Sequence, residues 1–281
     1  MPGKGSLFLN ASVDGRPAHR TGSGRLYVAD ETYSDNRSLL HLPRGFNVNA
    51  SGAIVLYFHG HGAKLERDIW KRQQLPQQIT MSGMNAALVA PQFAVDARDS
   101  SIGRFWKPGA LRRYLDEVSG ELARLYGDSK AEAAFMRMPI IIVGYSGGYL
   151  PAAWGIVNGG IRDRVLGVVL LDALYGHAST FQNFISTQRR AFFISAYGQS
   201  TQHGNIRFKA WLEEAGNSVA QSMPKVLDPG TIAVIKATKR HRDYVTNAWT
   251  PFPLADVLRR APSLAKIGTE NRYASRHQAA K

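Results

Sequence analysis

Three residues stand where an acyl-transfer reaction would need them. Ser146 lies in Gly144-Tyr145-Ser146-Gly147-Gly148, between an apolar run at 139–143 and a helix-like stretch at 149–157. A G-x-S-x-G sequence in a strand-turn-helix setting forces the serine into strained backbone and lifts its hydroxyl above the sheet. The glycines two residues before and after it let strand and helix pass closely. Pro151 is tolerated early in the helix, where the first N–H groups have no intrahelical partner. The helix then aims its amino-terminal dipole and free N–H groups at a developing anion. Asp172 directly follows the apolar run 166–171, well placed to orient an imidazole. His241 follows the run 231–235, in a loop able to reach over the sheet edge to the serine. His177 and His203 compete with it, and His19, His41 and His277 lie in segments without an assigned place on a sheet. His241 is preferred because the order serine, acid, histidine is then satisfied.

A serine nucleophile also needs backbone donors for the oxyanion. His59-Gly60-His61-Gly62 follows the apolar run 53–58, and its glycines allow close approach. The His61 N–H is therefore the expected donor beside that of Gly147. A His-x-His pair after a strand can instead hold a metal, but a metal-dependent barrel needs eight strand-helix units, and residues 53–260 do not accommodate them. No metal and no organic cofactor is expected. The segment 92–109 is long and carries Phe93, Arg98, Arg104, Phe105 and Trp106. Phe93 and Trp106 are expected to border the substrate pocket, with Tyr145 and Tyr175 lining the acyl site or packing in the core. The arginines of this segment either favour an anionic substrate or pair with Asp96 and Asp99. Lid-like insertions are absent, the nearest candidate being residues 199–205.

The elements that must position these groups follow from hydrophobic patterning. Strands are expected at 53–58, 86–90, 139–143, 166–171, 191–196 and 231–235, each short and apolar. Helices are expected at 65–78, interrupted by Pro76, at 149–157 and at 207–215. Another is expected at 111–126, where Leu111, Leu115, Val118, Leu122 and Leu125 recur at helical spacing. Buried strands alternating with helices predict an α/β fold, a mostly parallel sheet flanked by helices on both faces, with its chemistry at the carboxyl ends of the strands. Three segments are expected: an N-terminal extension or edge hairpin over 1–50, a catalytic domain over 51–261, and a basic tail over 262–281.

The 281 residues carry 35 Lys and Arg against 21 Asp and Glu, a net charge of +14, and 44% of them are hydrophobic. That composition excludes bulk disorder. The excess charge is scattered apart from the C-terminal tail, and no basic run interleaves with aromatics, so no specific nucleic-acid binding is expected. The chain has no cysteine, which excludes disulfides and thiolate chemistry. No apolar run is long enough for a membrane span. Residues 1–25 lack a signal-peptide core, although a presequence removed before residue 1 would leave no trace.

Together, the HGHG loop, the GYSGG turn, the LDAL strand end and the late His241 resemble the α/β-hydrolase superfamily over about 53–260. The resemblance implies Ser146 as nucleophile, His241 as general base and then acid, and Asp172 as orienting carboxylate. In many members the acid follows the next strand. Here that strand end, residues 197–201, has none, and a subset of lipases with an earlier acid agrees with Asp172. The implied activity is hydrolysis of small-molecule carboxylic esters through an acyl-enzyme. Amide or peptide cleavage by the same triad and a non-catalytic binding protein of the same fold are the alternatives. Oligomeric state and compartment are left open.

Overall fold

The computed structural model describes residues 8–268. The tail beyond residue 268, with His277 and most of the basic C-terminal cluster, lies outside the described residues.

Alternation along the strands builds the molecule. In β5 (Ala53–Phe58), Ile54, Leu56 and Phe58 face one core while Ala53, Val55 and Tyr57 face another, and every residue of the strand is buried. A strand buried on both sides reads as a continuous apolar run, and its period of two separates two cores. The same division holds for β6 (Ala86–Pro91), β7 (Ile140–Tyr145), β8 (Val165–Leu171), β9 (Phe192–Tyr197) and β10 (Ile232–Lys236). These pair in parallel, and β4 (Ser38–His41) adds antiparallel to β6, giving a seven-stranded sheet in the order β10-β9-β8-β7-β5-β6-β4.

The N-terminal segment contributes both a small sheet of its own and an edge strand of the main sheet. β1 (Ala11–Val13), β2 (Arg16–Arg20) and β3 (Leu26–Val28) form a separate three-stranded antiparallel sheet, followed by the one-turn helix α1 (Ala29–Thr32). β4 nevertheless comes from the same segment and closes the edge of the main sheet. Its four residues are only half-buried, too weak a pattern to read in sequence.

Helices cover both faces. A π-helical stretch, Leu65–Arg72, leads into α2 (Leu75–Ser82), so Pro76 opens a second helix and does not interrupt the first. The first core is closed by α3 (Ala110–Tyr126), α4 (Glu132–Arg137), α5 (Tyr149–Asn158), α6 (Ala178–Thr187) and α7 (Gln202–Glu214). The second is closed by α2 and α8 (Pro253–Arg260). In α3 the residues Leu111, Leu115, Val118 and Leu122 are buried as their spacing predicts, whereas Leu125 is exposed on the last turn. No described helix is long and apolar enough to cross a membrane.

Successive strands leave β5 in opposite directions: β6 lies on one side of it and β7 on the other. The loops after β5 and β7 therefore diverge and leave a crevice at their carboxyl ends, where α/β sheets place ligands.

Candidate active site

The turn after β7 is as tight as the glycine pattern requires. Ser146 has φ of 52°, a left-handed conformation costly for a residue with a side chain. A Cβ at Gly148 would collide with the Phe58 carbonyl oxygen of β5, and one at Gly144 would lie 3.0 Å from the Gly148 carbonyl oxygen. Only glycine lets the start of α5 cross so close to β5 and β7.

Ser146 is half-buried, and its Oγ lies 2.8 Å from His241 Nε2. His241 Nδ1 lies 2.6 Å from Asp172 Oδ2. The two contacts fix the tautomer: Nδ1–H donates to the carboxylate and Nε2 is left to accept from the serine hydroxyl. The ring is held on other sides as well. Tyr145 stacks on it at 5.2 Å between centroids, and the Tyr145 hydroxyl donates to the His241 carbonyl oxygen at 3.2 Å. Burial pushes the Tyr145 phenol up to about 12, so it stays a neutral donor. Tyr145 is thus core packing beneath the imidazole. Tyr175, 47% exposed, meets the same ring edge-on at 6.2 Å and borders the open side of the site.

Asp172 is 1% exposed and also left-handed, with φ of 44°. Burial by itself would raise its pKa. Hydrogen bonds from His241, Ser200, Thr201 and the Gly198 N–H outweigh that and hold the carboxyl at about 2. The strand end after β9, which has no acid, thus furnishes the donors that keep the acid of β8 ionised. Residues 199–205 are accordingly not a lid. Thr201 and Asn205 are buried at the start of α7, and Asn205 Oδ1 accepts from Ser195 at 2.6 Å. This role of 198–201 was missed in the sequence, where the signal is only a Gly-x-Ser-Thr turn before a helix.

The loop after β5 shows how differently two neighbouring histidines are used. His59 is buried; its Nε2 accepts from the Phe93 N–H at 2.9 Å, so the proton is on Nδ1, which donates to the Gly60 carbonyl oxygen at 2.8 Å. Both nitrogens are thereby engaged by protein, and burial lowers the pKa of the ring. His59 ties the β5 loop to the loop after β6. His61 instead is exposed beside the Ser146 turn, with Nε2 2.6 Å from Ser100 Oγ. A Cβ at Gly60 would stand 2.8 Å from that of Ser146, which places the His61 segment directly against the turn.

A seven-stranded sheet with one antiparallel edge, a strained serine between β7 and its helix, and acid and histidine following β8 and β10 in that order decide the fold. The chain has an α/β-hydrolase fold. No protein-family model and no curated protein matches its sequence. Among solved structures it is similar to a ferulic acid esterase at 13% identity and a TM-score of 0.49, covering 86% of this chain and 96% of that one. It is also similar to an S-formylglutathione hydrolase from Agrobacterium tumefaciens at 12% identity and 0.44, covering 86% and 93%. A monoglyceride lipase from Saccharomyces cerevisiae is similar at 10% and 0.39, covering 78% and 88%. At these scores the assignment of the hydrolase fold rests on strand order and turn geometry.

The remaining expected residues separate into those near Ser146 and those away from it. Phe93 packs against Phe58, His59 and Phe105 with centroids 5.6 to 5.8 Å apart. With Trp106 it lines a cavity of about 1470 Å³ between the N-terminal segment and α3, whose lining includes none of Ser146, Asp172 and His241. Asp96 pairs with Lys64 and Arg67, and Asp99 accepts from Tyr33, so both acids serve the loop's structure with partners other than Arg98. Of the competing histidines, His19 stacks on Phe8, His41 meets Thr80, His177 lies beside Tyr149 and Trp154, and His203 is exposed on α7. None of these touches Ser146.

Proposed function

We propose that this protein is a serine hydrolase that cleaves carboxylic esters through an acyl-enzyme. The carrying observation is the unbroken chain from Ser146 Oγ to His241 Nε2, and from His241 Nδ1 to Asp172 Oδ2, at 2.8 and 2.6 Å. A serine hydroxyl is a weak nucleophile until a base removes its proton during attack. His241 takes that proton as Oγ adds to the carbonyl carbon, and the ionised Asp172 stabilises the resulting imidazolium. The tetrahedral oxyanion falls to the N–H groups of Gly147 and His61. His241 then protonates the departing alcohol, and water, activated by the same ring, releases the acid. Nothing in these steps calls for a metal or an organic cofactor.

Burial lowers the pKa of the His61 ring; the charge of Asp99 opposes this, and those of Arg98 and Arg25 add to it.

Hydrolysis of p-nitrophenyl esters of increasing acyl length tests the reading, with Ser146→Ala as the blank. Wild type is expected to turn over and to label with a fluorophosphonate, and the variant to do neither. Hydrolysis that survives Ser146→Ala would sink the nucleophile assignment. A wild-type protein inert to both reagents would leave the binding-protein alternative.

A further inference from the structure

Gly147 is packed in a way the turn alone does not require. The three atoms nearest a Cβ there all belong to side chains: Ser100 Oγ at 2.5 Å, and Cδ2 and Nε2 of His61 at 2.8 and 3.0 Å. Two side chains from different loops thus fill the space a side chain at 147 would take, beside the N–H to which the esterase reading gives the oxyanion. They are bonded to each other, His61 Nε2 to Ser100 Oγ at 2.6 Å. Among the described residues Ser100 Oγ makes no other hydrogen bond. A hydroxyl has one proton and two lone pairs, so when the ring donates from Nε2 the serine proton has no protein acceptor. Ser100 Oγ is half-buried and lies against the serine turn at Gly147.

Resting on the esterase reading above, we propose that Ser100 is a catalytic residue, a third oxyanion donor whose hydroxyl is aimed by the His61 side chain. The backbone N–H groups of His61 and Gly147 would bind the developing charge from the sheet side, and Ser100 from the loop after β6. Preorganised donors of this kind matter only as charge develops, so their loss appears in kcat more than in KM.

The test compares a p-nitrophenyl ester with its thiono analogue, in which sulfur replaces the acyl oxygen and accepts hydrogen bonds poorly. Ser100→Ala is expected to lower kcat on the oxygen ester by on the order of 10²-fold, leave KM nearly unchanged and lower the thiono rate far less. The oxo-to-thiono ratio therefore shrinks. Ser100→Thr, which keeps a hydroxyl, restores most of the ratio. His61→Phe, which keeps the backbone N–H, shrinks it by a smaller factor. An equal fall on both substrates would make Ser100 merely structural and overturn the proposal. So would an unchanged kcat in Ser100→Ala while Ser146→Ala is dead. Failure of the esterase reading itself is seen separately, as activity retained by Ser146→Ala.

Discussion

Two concave regions lie on either side of the segment 92–109. On one side is the carboxyl edge of the sheet, where Ser146, His241 and Asp172 form a hydrogen-bonded row, with the His61 ring beside the serine turn. On the other is the cavity of about 1470 Å³ lined by Phe8, Tyr33, Phe93, Phe105 and Trp106. Each holds polar side chains in a row: beside the cavity Tyr33 and Ser101 donate to Asp99, with His19 Nε2 3.3 Å from Ser101 Oγ, whereas at the sheet edge the imidazole bridges serine and carboxylate. Ser146 and Asp172 are both left-handed, and Asp172 accepts from four donors. What distinguishes the sheet edge is a buried, ionised carboxylate joined through an imidazole to a serine on left-handed backbone, a combination that marks a candidate site better than volume does.

The contrast can be broken or sharpened by experiment. Asp172→Asn keeps the shape of the site but removes the acceptor for the Nδ1 proton of His241. Esterase kcat is expected to fall by roughly 10⁴-fold, as when an orienting carboxylate is lost from such a triad. A fall of less than tenfold would put the acid elsewhere. His59→Leu acts on the seam between the two regions. It strands the Phe93 N–H and the Gly60 carbonyl in a buried place, and a denaturant titration should show a loss of about 1–3 kcal/mol for each. A melt identical to wild type would refute the tie between the β5 and β6 loops.

The pH dependence is set by the same carboxylate. The folded pKa of Asp172, about 2, lies below its ordinary value of 3.8, so its contribution to stability is complete above about 4 and is lost as pH falls toward 2. Wild type should therefore lose stability relative to Asp172→Asn between about pH 4 and 2, and parallel curves would contradict this. Smallest of all, Trp106→Ala at the cavity should leave kcat/KM for a short ester within about twofold, since surface changes away from a site are usually minor. A larger loss would mean that the cavity serves the reaction.

How much of this was legible in sequence differs by element. The six buried strands were readable because each is a continuous apolar run bounded by turns, and the serine turn because its glycines are sterically obligatory. β1, β2, β4, α1, α4, α6 and α8 were not assigned, since the strands are half-buried and each of these helices spans ten residues or fewer, too short a window for a pattern to stand out. Leu125 fitted the α3 spacing but faces solvent, because periodicity specifies a face without saying how far the neighbouring elements extend. Phe93 and Trp106 looked like pocket residues because they sit in a long loop after a strand. The loop's two sides face different concavities, which spacing does not encode.

Ser146, Asp172 and His241 each follow a strand in the required order, and that much is a property of the chain, since local sterics and burial act over a few residues. Their meeting is not. Asp172 lies 26 residues from the Gly198 N–H and 69 from His241, and Ser100 lies 39 from His61, so only the pairing of strands across the sheet brings these groups together. The same packing made one of two adjacent-looking histidines a buried strut and the other a neighbour of the nucleophile, because burial and hydrogen-bond partners are settled by what the rest of the chain lays against each ring.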